Sequence, residues 1–308
     1  MSTKNSTRRM AAAAHPPVIT LFTDFGLADP FVGAMKGVIL EICPQARIVD
    51  LSHDAARFDP VRAGFVLATV IPYFPAGAIH VAVVDPGVGG PRRPLAARID
   101  GRLFVAPDNG LLSCLLAGAR RVEARHIANR RLLREPVSAT FHGRDVFAPA
   151  AAHLACGFSL GRVGPRVADP VCRPLPVPAR GPGPALRGLV MWVDRFGNLI
   201  TNVDVAALRA LGASARGELR VALGGGRAAP LVTHYGAVPP GRVGAVLGSS
   251  GHLELFANRA SAADLLGAGP GARLRVWRAS VRADAHGATG RARRKRKAGR
   301  GGTGGLMW

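Results

Sequence analysis

The chain has 308 residues, 48% of them hydrophobic, and a formal charge of +22 at pH 7. That length exceeds the usual span of one hydrophobic core and points to two domains, and so large an apolar share excludes a chain disordered throughout. No apolar run reaches the length of a membrane-spanning helix, and Ala11 to Ala14 is too short for a secretory core, so the expectation is a cytoplasmic protein with no membrane contact.

The polar segment 1–17 reads as a disordered tail, and residues 18–170 read as an α/β domain. Val18 to Phe22 predicts a strand and Phe31 to Ile42 a helix, with Asp29 near its cap and Pro30 at its start. Arg47 to Leu51 predicts a second strand. Pro60 to Ile71, introduced by Asp59, predicts a second helix. Further strands are expected at Ile79 to Val84 and Leu103 to Ala106, then a turn at Pro107-Asp-Asn-Gly110, then a helix over Val146 to Cys156. This alternation argues for a mostly parallel sheet covered by helices, an α/β/α sandwich.

Residues 171–186 crowd prolines and glycines into what reads as an extended linker. From 187 to 278 the pattern becomes short strands: Gly188 to Val193, Glu218 to Leu223, Gly244 to Leu247, His252 to Phe256 and Arg273 to Trp277. That predicts a smaller, barrel-like or sandwich β domain. The tail 279–308 reads as disordered. Its run Arg291 to Arg300 holds five arginines, two lysines and no acid, a pattern suited to non-specific polyanion contact. Cys43, Cys114, Cys156 and Cys172 match neither a zinc spacing nor a disulfide framework. The first three read as small buried hydrophobes.

Three segments carry candidate chemistry. Val84-Asp-Pro-Gly-Val-Gly-Gly-Pro-Arg92 ends a buried-strand pattern in a carboxylate, turns on proline and glycines, and follows with a guanidinium. Strand C-termini are where open α/β sheets build their sites. A carboxylate beside a cation can hold and polarise a small nucleophile; an ordinary Pro-Gly turn with a solvated Asp is the other reading. Thr23-Asp24-Phe-Gly26 is a second strand-ending carboxylate. Phe141-His142-Gly-Arg-Asp145 places an imidazole, a guanidinium and a carboxylate together.

These segments, with Pro107 to Gly110, Val193 to Asn202 and Gly248 to Glu254, occur in an order that resembles the S-adenosyl-L-methionine hydroxide adenosyltransferases. That family is related to enzymes that join fluoride or chloride to S-adenosyl-methionine (SAM). The resemblance covers roughly residues 18–277. It implies attack of water on the adenosyl 5′ carbon, giving adenosine and L-methionine, with SAM as substrate and no cofactor or metal. By the resemblance, Asp85, Arg92 and His142 surround the water. Asp24 accepts from the ribose hydroxyls and Phe58 lies against the ribose. Asp29, Asp194 and Ser249 meet the methionine end, and Phe196, Asn198 and Tyr235 hold adenine. Bland alternatives stand beside some of these: a helix cap for Asp29, core or hinge aromatics for Phe58 and Tyr235, and a β-turn for Asp194-Arg195.

The resemblance also implies a homotrimer with the site between the N-terminal domain of one subunit and the C-terminal domain of the next. Halogenating relatives have tyrosine where this chain has Asp85 and hydroxyl residues where it has Val88 and Gly143. They also have a longer insertion where Arg93 to Leu103 is short, so the pattern favours water. The rival readings are a chlorinase and a non-catalytic SAM or adenosine binder. A nucleic-acid-binding function carried by the basic tail is a third, although no RRM, zinc-finger or clear helix-turn-helix signature is present.

Overall fold

A computed structural model describes residues 16–181, 183–211 and 219–279. The N-terminal stretch through residue 15, the tail from residue 280 and Glu218 lie outside the described residues, and with them the expectations placed there.

The N-terminal half is built on a seven-stranded sheet. Its strands are β1 (Val18–Thr23), β2 (Arg47–Ser52), β3 (Ile79–Val83), β4 (Pro94–Ile99), β5 (Arg102–Pro107), β6 (Val122–His126) and β7 (Arg166–Val167), in the order β2-β1-β3-β5-β4-β6-β7. Parallel pairing joins β2, β1, β3 and β5, and antiparallel pairing adds β4, β6 and β7. Every residue of β3 is buried, as a central strand covered on both faces requires. Helices α1 (Phe31–Ile42) and α4 (Ala148–Ala155) pack on one face with Met35, Ile39 and Ala151. The short α3 (Ser113–Ala117) and α2 (Pro60–Val70) cover the other face, where Ala63 and Leu67 join Phe104 and Leu111. Gly64 permits that contact, because a Cβ there would lie 2.1 Å from the Leu111 carbonyl oxygen.

Two details differ from expectation. Asp59 caps α2 by accepting the Arg62 N–H, whereas α1 is capped at Pro30 with no side-chain bond, so Asp29 is not a helix cap. Cys156 is exposed rather than buried, because it lies past the end of α4.

The C-terminal half closes a barrel. Strands β9 (Ala185–Val193), β10 (Leu199–Asp204), β11 (Leu219–Leu223), β12 (Ala229–Val232), β13 (Val243–Leu247), β14 (His252–Ala257) and β15 (Arg273–Arg278) run in the order β10-β14-β13-β12-β11-β15-β9, and β9 pairs back with β10. The two-residue β8 (Ala179–Arg180) pairs antiparallel alongside β9. Alternating residues such as Val190, Val203, Val221, Leu255 and Val276 fill the interior. Two short helices, α5 (Val205–Ala210) and α6 (Ala262–Leu266), flank the barrel. Among the described residues no helix is long and apolar enough to cross a membrane.

Candidate active site

Asp85, Arg92 and His142 meet, although fifty-seven positions separate the first from the last in the chain. Asp85 follows the end of β3, Arg92 precedes β4, and His142 precedes a π-helical turn (Gly143–Phe147) that leads into α4. Arg92 Nε donates to the two Asp85 oxygens at 2.9 and 3.1 Å, and Nη2 adds a further contact to Oδ2. Nη2 also lies 2.7 Å from His142 Nδ1. The Arg92 guanidinium stands 5.4 Å from the centroid of Phe147. The glycines of the turn have a physical task. Gly89 adopts φ +77°, and a Cβ there would lie 2.3 Å from the Ala139 carbonyl oxygen.

This geometry fixes the protonation of the imidazole. A guanidinium is only a donor, so Nδ1 must accept, and a neutral His142 then carries its proton on Nε2. Burial first, and the Arg92 charge second, hold the His142 pKa below its ordinary value. His142 therefore presents an N–H at Nε2 and is not poised to take a proton there.

Asp24 directly follows β1 in the same half of the molecule. Its Oδ2 accepts the Phe58 N–H at 3.4 Å. Burial raises its pKa, the Phe58 bond and the Arg57 charge oppose that rise, and the Asp85 charge adds to it. Phe58 is held at φ +59° with 75% of its surface exposed, so it is no core aromatic. Asp29 is exposed at the entrance to α1. Phe25, Phe31 and Phe141 form an edge-to-face cluster nearby. That cluster crowds Gly143, where a Cβ would meet Met35 Sδ and the Phe25 and Phe141 rings at 3.2 Å.

The other expected residues line a cleft of about 840 Å³ between α2 and the barrel. Asp194, Phe196, Asn198, Tyr235 and Ser249 all face it. Asp194 also makes the turn between β9 and β10: it accepts the Phe196 N–H, the Asn198 N–H and the Asn198 amide at 2.8 to 2.9 Å. The β-turn reading of Asp194 thus holds, and the turn presents Phe196 77% exposed to solvent. Asn198 is buried, and Ser249 is exposed.

Glu254, quoted in a motif but given no role, also lines the cleft. It is buried on β14, and its Oε2 accepts the Tyr235 hydroxyl at 3.0 Å. Burial and the Asp194 charge raise its pKa, while the Tyr235 phenol is pushed up to about 12. The signal was a glutamate inside the otherwise apolar strand pattern His252 to Phe256. His252 packs its ring edge-on to Phe65 of α2, 4.7 Å between centroids, at the junction of the two halves.

Within one chain, then, the expected residues form two groups. Asp85, Arg92, His142 and Asp24 are absent from the lining of the 840 Å³ cleft. The first group can polarise a small nucleophile; the second offers exposed aromatics, a buried amide and carboxylates to a cationic aromatic ligand.

Comparison with known proteins bears on both groups. The SAM hydroxide adenosyltransferase N-terminal domain model matches residues 19–164, and its C-terminal domain counterpart matches residues 188–275. The chain is 42% identical to the (R)-S-adenosyl-L-methionine hydrolase of Salinispora tropica, over 85% of this chain and 98% of that protein. It is 43% identical to the hydrolase of the same name from Thermus thermophilus, over 84% and 98% respectively. A fluorinase from an Actinoplanes species is 29% identical over 79% of this chain and 92% of that protein. A crystal structure of an uncharacterized conserved protein from Thermotoga maritima superposes with a TM-score of 0.80 at 34% identity, covering 84% of this chain and all of that one. The chain belongs to the SAM hydroxide adenosyltransferase family.

Proposed function

We propose that this protein hydrolyses SAM to adenosine and L-methionine by attack of water at the adenosyl 5′ carbon. The observation that carries the reading is the contact of Asp85, Arg92 and His142 in a chain so similar to named SAM hydrolases.

The chemistry matches the cluster. The sulfonium departs as a neutral thioether, so no acid is needed for the leaving group. Water is the weak partner, with a bulk pKa near 15.7, and the protein must lower the free energy of hydroxide. Arg92 supplies a fixed positive charge and His142 an Nε2 donor, two groups that stabilise a developing hydroxide. The water oxygen forms its bond to the 5′ carbon while the carbon–sulfur bond breaks and its electron pair stays on sulfur. The proton passes to a free lone pair of the Asp85 carboxylate and then to solvent. Alignment for in-line attack contributes several kcal/mol more. Asp24 takes the ribose hydroxyls and Phe58 covers the ribose. Asp29, Asp194 and Ser249 hold the methionine end. Phe196 and Tyr235 stack on adenine and Asn198 pairs with it. SAM enters as substrate, and no cofactor enters the reading.

A homotrimer brings the two groups together, the first from one subunit and the cleft from its neighbour. The separation of the groups within one chain supports this arrangement. The enzyme works in the cytoplasm, in keeping with its free cysteines. The basic tail makes non-specific polyanion contacts that trimming residues 280–308 removes without loss of turnover.

Incubation of the purified protein with SAM, with and without chloride, tests the reading. Adenosine and methionine under both conditions are the expected products. A 5′-chloro-5′-deoxyadenosine product points to a chlorinase, and retained SAM without product points to a binder; either result contradicts the proposal.

A further inference from the structure

The segment Pro107-Asp-Asn-Gly110 reads in the sequence only as a tight turn. Its place in the sheet gives it a second task. β5 lies between β3 and β4, so the turn that follows β5 stands between Asp85, which follows β3, and Arg92, which precedes β4.

The sheet ladder does not reach either residue. The β3–β5 register ends at Val81 opposite Val105, and the β4–β5 register ends at Pro94 opposite Pro107. Beyond those pairs the turn supplies the bonds. Asn109 Nδ2 donates to the Val84 carbonyl at 2.9 Å, one residue before Asp85. On the other side, the Asp108 N–H donates to the Arg93 carbonyl at 2.9 Å, one residue after Arg92. Asp108 Oδ2 also accepts Arg93 Nε at 2.7 Å, and its Oδ1 accepts the Val171 N–H at 2.7 Å. The Asp108 carboxylate is almost wholly buried, where charge-assisted bonds are strong and their loss is severe.

The turn is itself held rigid. Asn109 Oδ1 accepts the Leu111 N–H at 3.1 Å, and the Asn109 carbonyl accepts Arg173 Nε at 3.0 Å. Gly110 adopts φ +99°, and a Cβ there would lie 2.8 Å from the Arg173 side chain. Arg93 is clamped further by the Asp169 carboxylate at 2.9 Å and the Asp169 carbonyl at 2.8 Å.

We infer that Asp108 and Asn109 are positioning residues: they set the separation of Asp85 from Arg92 and so the aim of the trio. The expected effect on rate rests on the hydrolytic reading; the expected effect on geometry does not.

Steady-state SAM turnover by Asn109→Leu, Arg93→Met, Arg93→Lys and Ser113→Ala tests this, with crystal structures of the first two. Asn109→Leu and Arg93→Met should lower kcat roughly ten- to a hundredfold while KM stays within about twofold, because a misaimed group fails in the transition state rather than in binding. Arg93→Lys keeps a cation for Asp108 and should recover most of the rate. Ser113→Ala loses the bond to the Arg173 N–H but touches neither strand end, and should keep the parental kcat. The crystals should show the Arg92–His142 contact broken. Where Asn109→Leu does not fold, Asn109→Asp replaces it, since it keeps the acceptor for Leu111 and loses the donor to Val84. Parental kcat in Asn109→Leu and Arg93→Met, or an equal loss in Ser113→Ala, overturns the inference. If the parent protein does not turn SAM over, the proposed function fails and the crystals alone decide the inference: a spread trio supports it, and an unmoved trio overturns it.

Discussion

At the scale of single residues, chemistry and binding fall to different side chains. Asp85→Ala and His142→Ala should lower kcat by about a hundredfold or more with little change in KM, because Asp85 takes the proton and the His142 Nε2 donor stabilises hydroxide only as it develops in the transition state. Asp24→Ala should instead raise KM by roughly ten- to a hundredfold, because a carboxylate hydrogen bond to substrate contributes about 1.5–3 kcal/mol. Steady-state kinetics on the three variants distinguishes these outcomes, and an unchanged KM in Asp24→Ala contradicts the ribose role. The imidazole adds a pH signature. Its pKa is held below 6.5 by burial and by Arg92, so His142 is neutral and accepts from Arg92 above that lowered pKa. Turnover should stay level from neutral pH down through 6.5 and decline only at lower pH, as Nδ1 gains a proton and the Arg92 contact is lost. An acid limb centred at or above 6.5 contradicts this. Residue types alone showed three carboxylate-bearing turns; that two of them share one cluster came from the resemblance, since no local pattern reports a contact across fifty positions. Glu254 and the Asp108–Asn109 pair escaped because their significance lies in what they reach elsewhere in the fold: the Tyr235 hydroxyl for the first, and the ends of two neighbouring strands for the second.

At the scale of elements, legibility followed local pattern. Phe31–Ile42 was readable to both ends because an amphipathic helix between a proline and a terminating loop has strong local signals. β4 and β6 were not read. Pro94–Ile99 carries Arg98 and Val122–His126 carries Glu123 and Arg125, charges that blur a strand pattern, and their antiparallel pairing is a tertiary choice. The π-helical turn ahead of α4 was likewise invisible, because periodicity reports the helix and not a single widened turn. The central strand β3 also carries a liability. His80 is fully buried there, with Nδ1 2.9 Å from the Thr20 hydroxyl and its ring against Phe104. Burial, with a smaller push from Arg102, lowers its pKa from 6.5 to about 4. The unfolded chain therefore binds a proton at a pH where the folded chain refuses it. This contribution to stability is intact above pH 6.5 and declines as pH falls toward 4, by on the order of 3 kcal/mol in all. Urea unfolding at pH 7 and pH 4.5 should show a smaller difference for His80→Phe than for the parent. Equal differences contradict the burial argument.

At the scale of the whole molecule, the two domains and their order were legible because the change from mixed helix and strand to short strands and turns is compositional. The closure of the barrel and the separation of the trio from the cleft were not, since both depend on long-range packing. If neighbouring subunits share each site, Asp85→Ala and Asn198→Ala chains are each defective but in different halves. Mixed and reassembled, they should regain a fraction of parental turnover, because some sites then combine two intact halves. No recovery in mixtures proven by mass to contain both chains contradicts a shared site. The central claim, that Asp85, Arg92 and His142 deliver water to the adenosyl 5′ carbon, is tested most directly by turnover of SAM in ¹⁸O-enriched water. The account predicts adenosine carrying one heavy oxygen at its 5′ position, formed by the parent and nearly abolished in Asp85→Ala and His142→Ala. Unlabelled adenosine, or labelled adenosine formed at the parental rate by both variants, would contradict it.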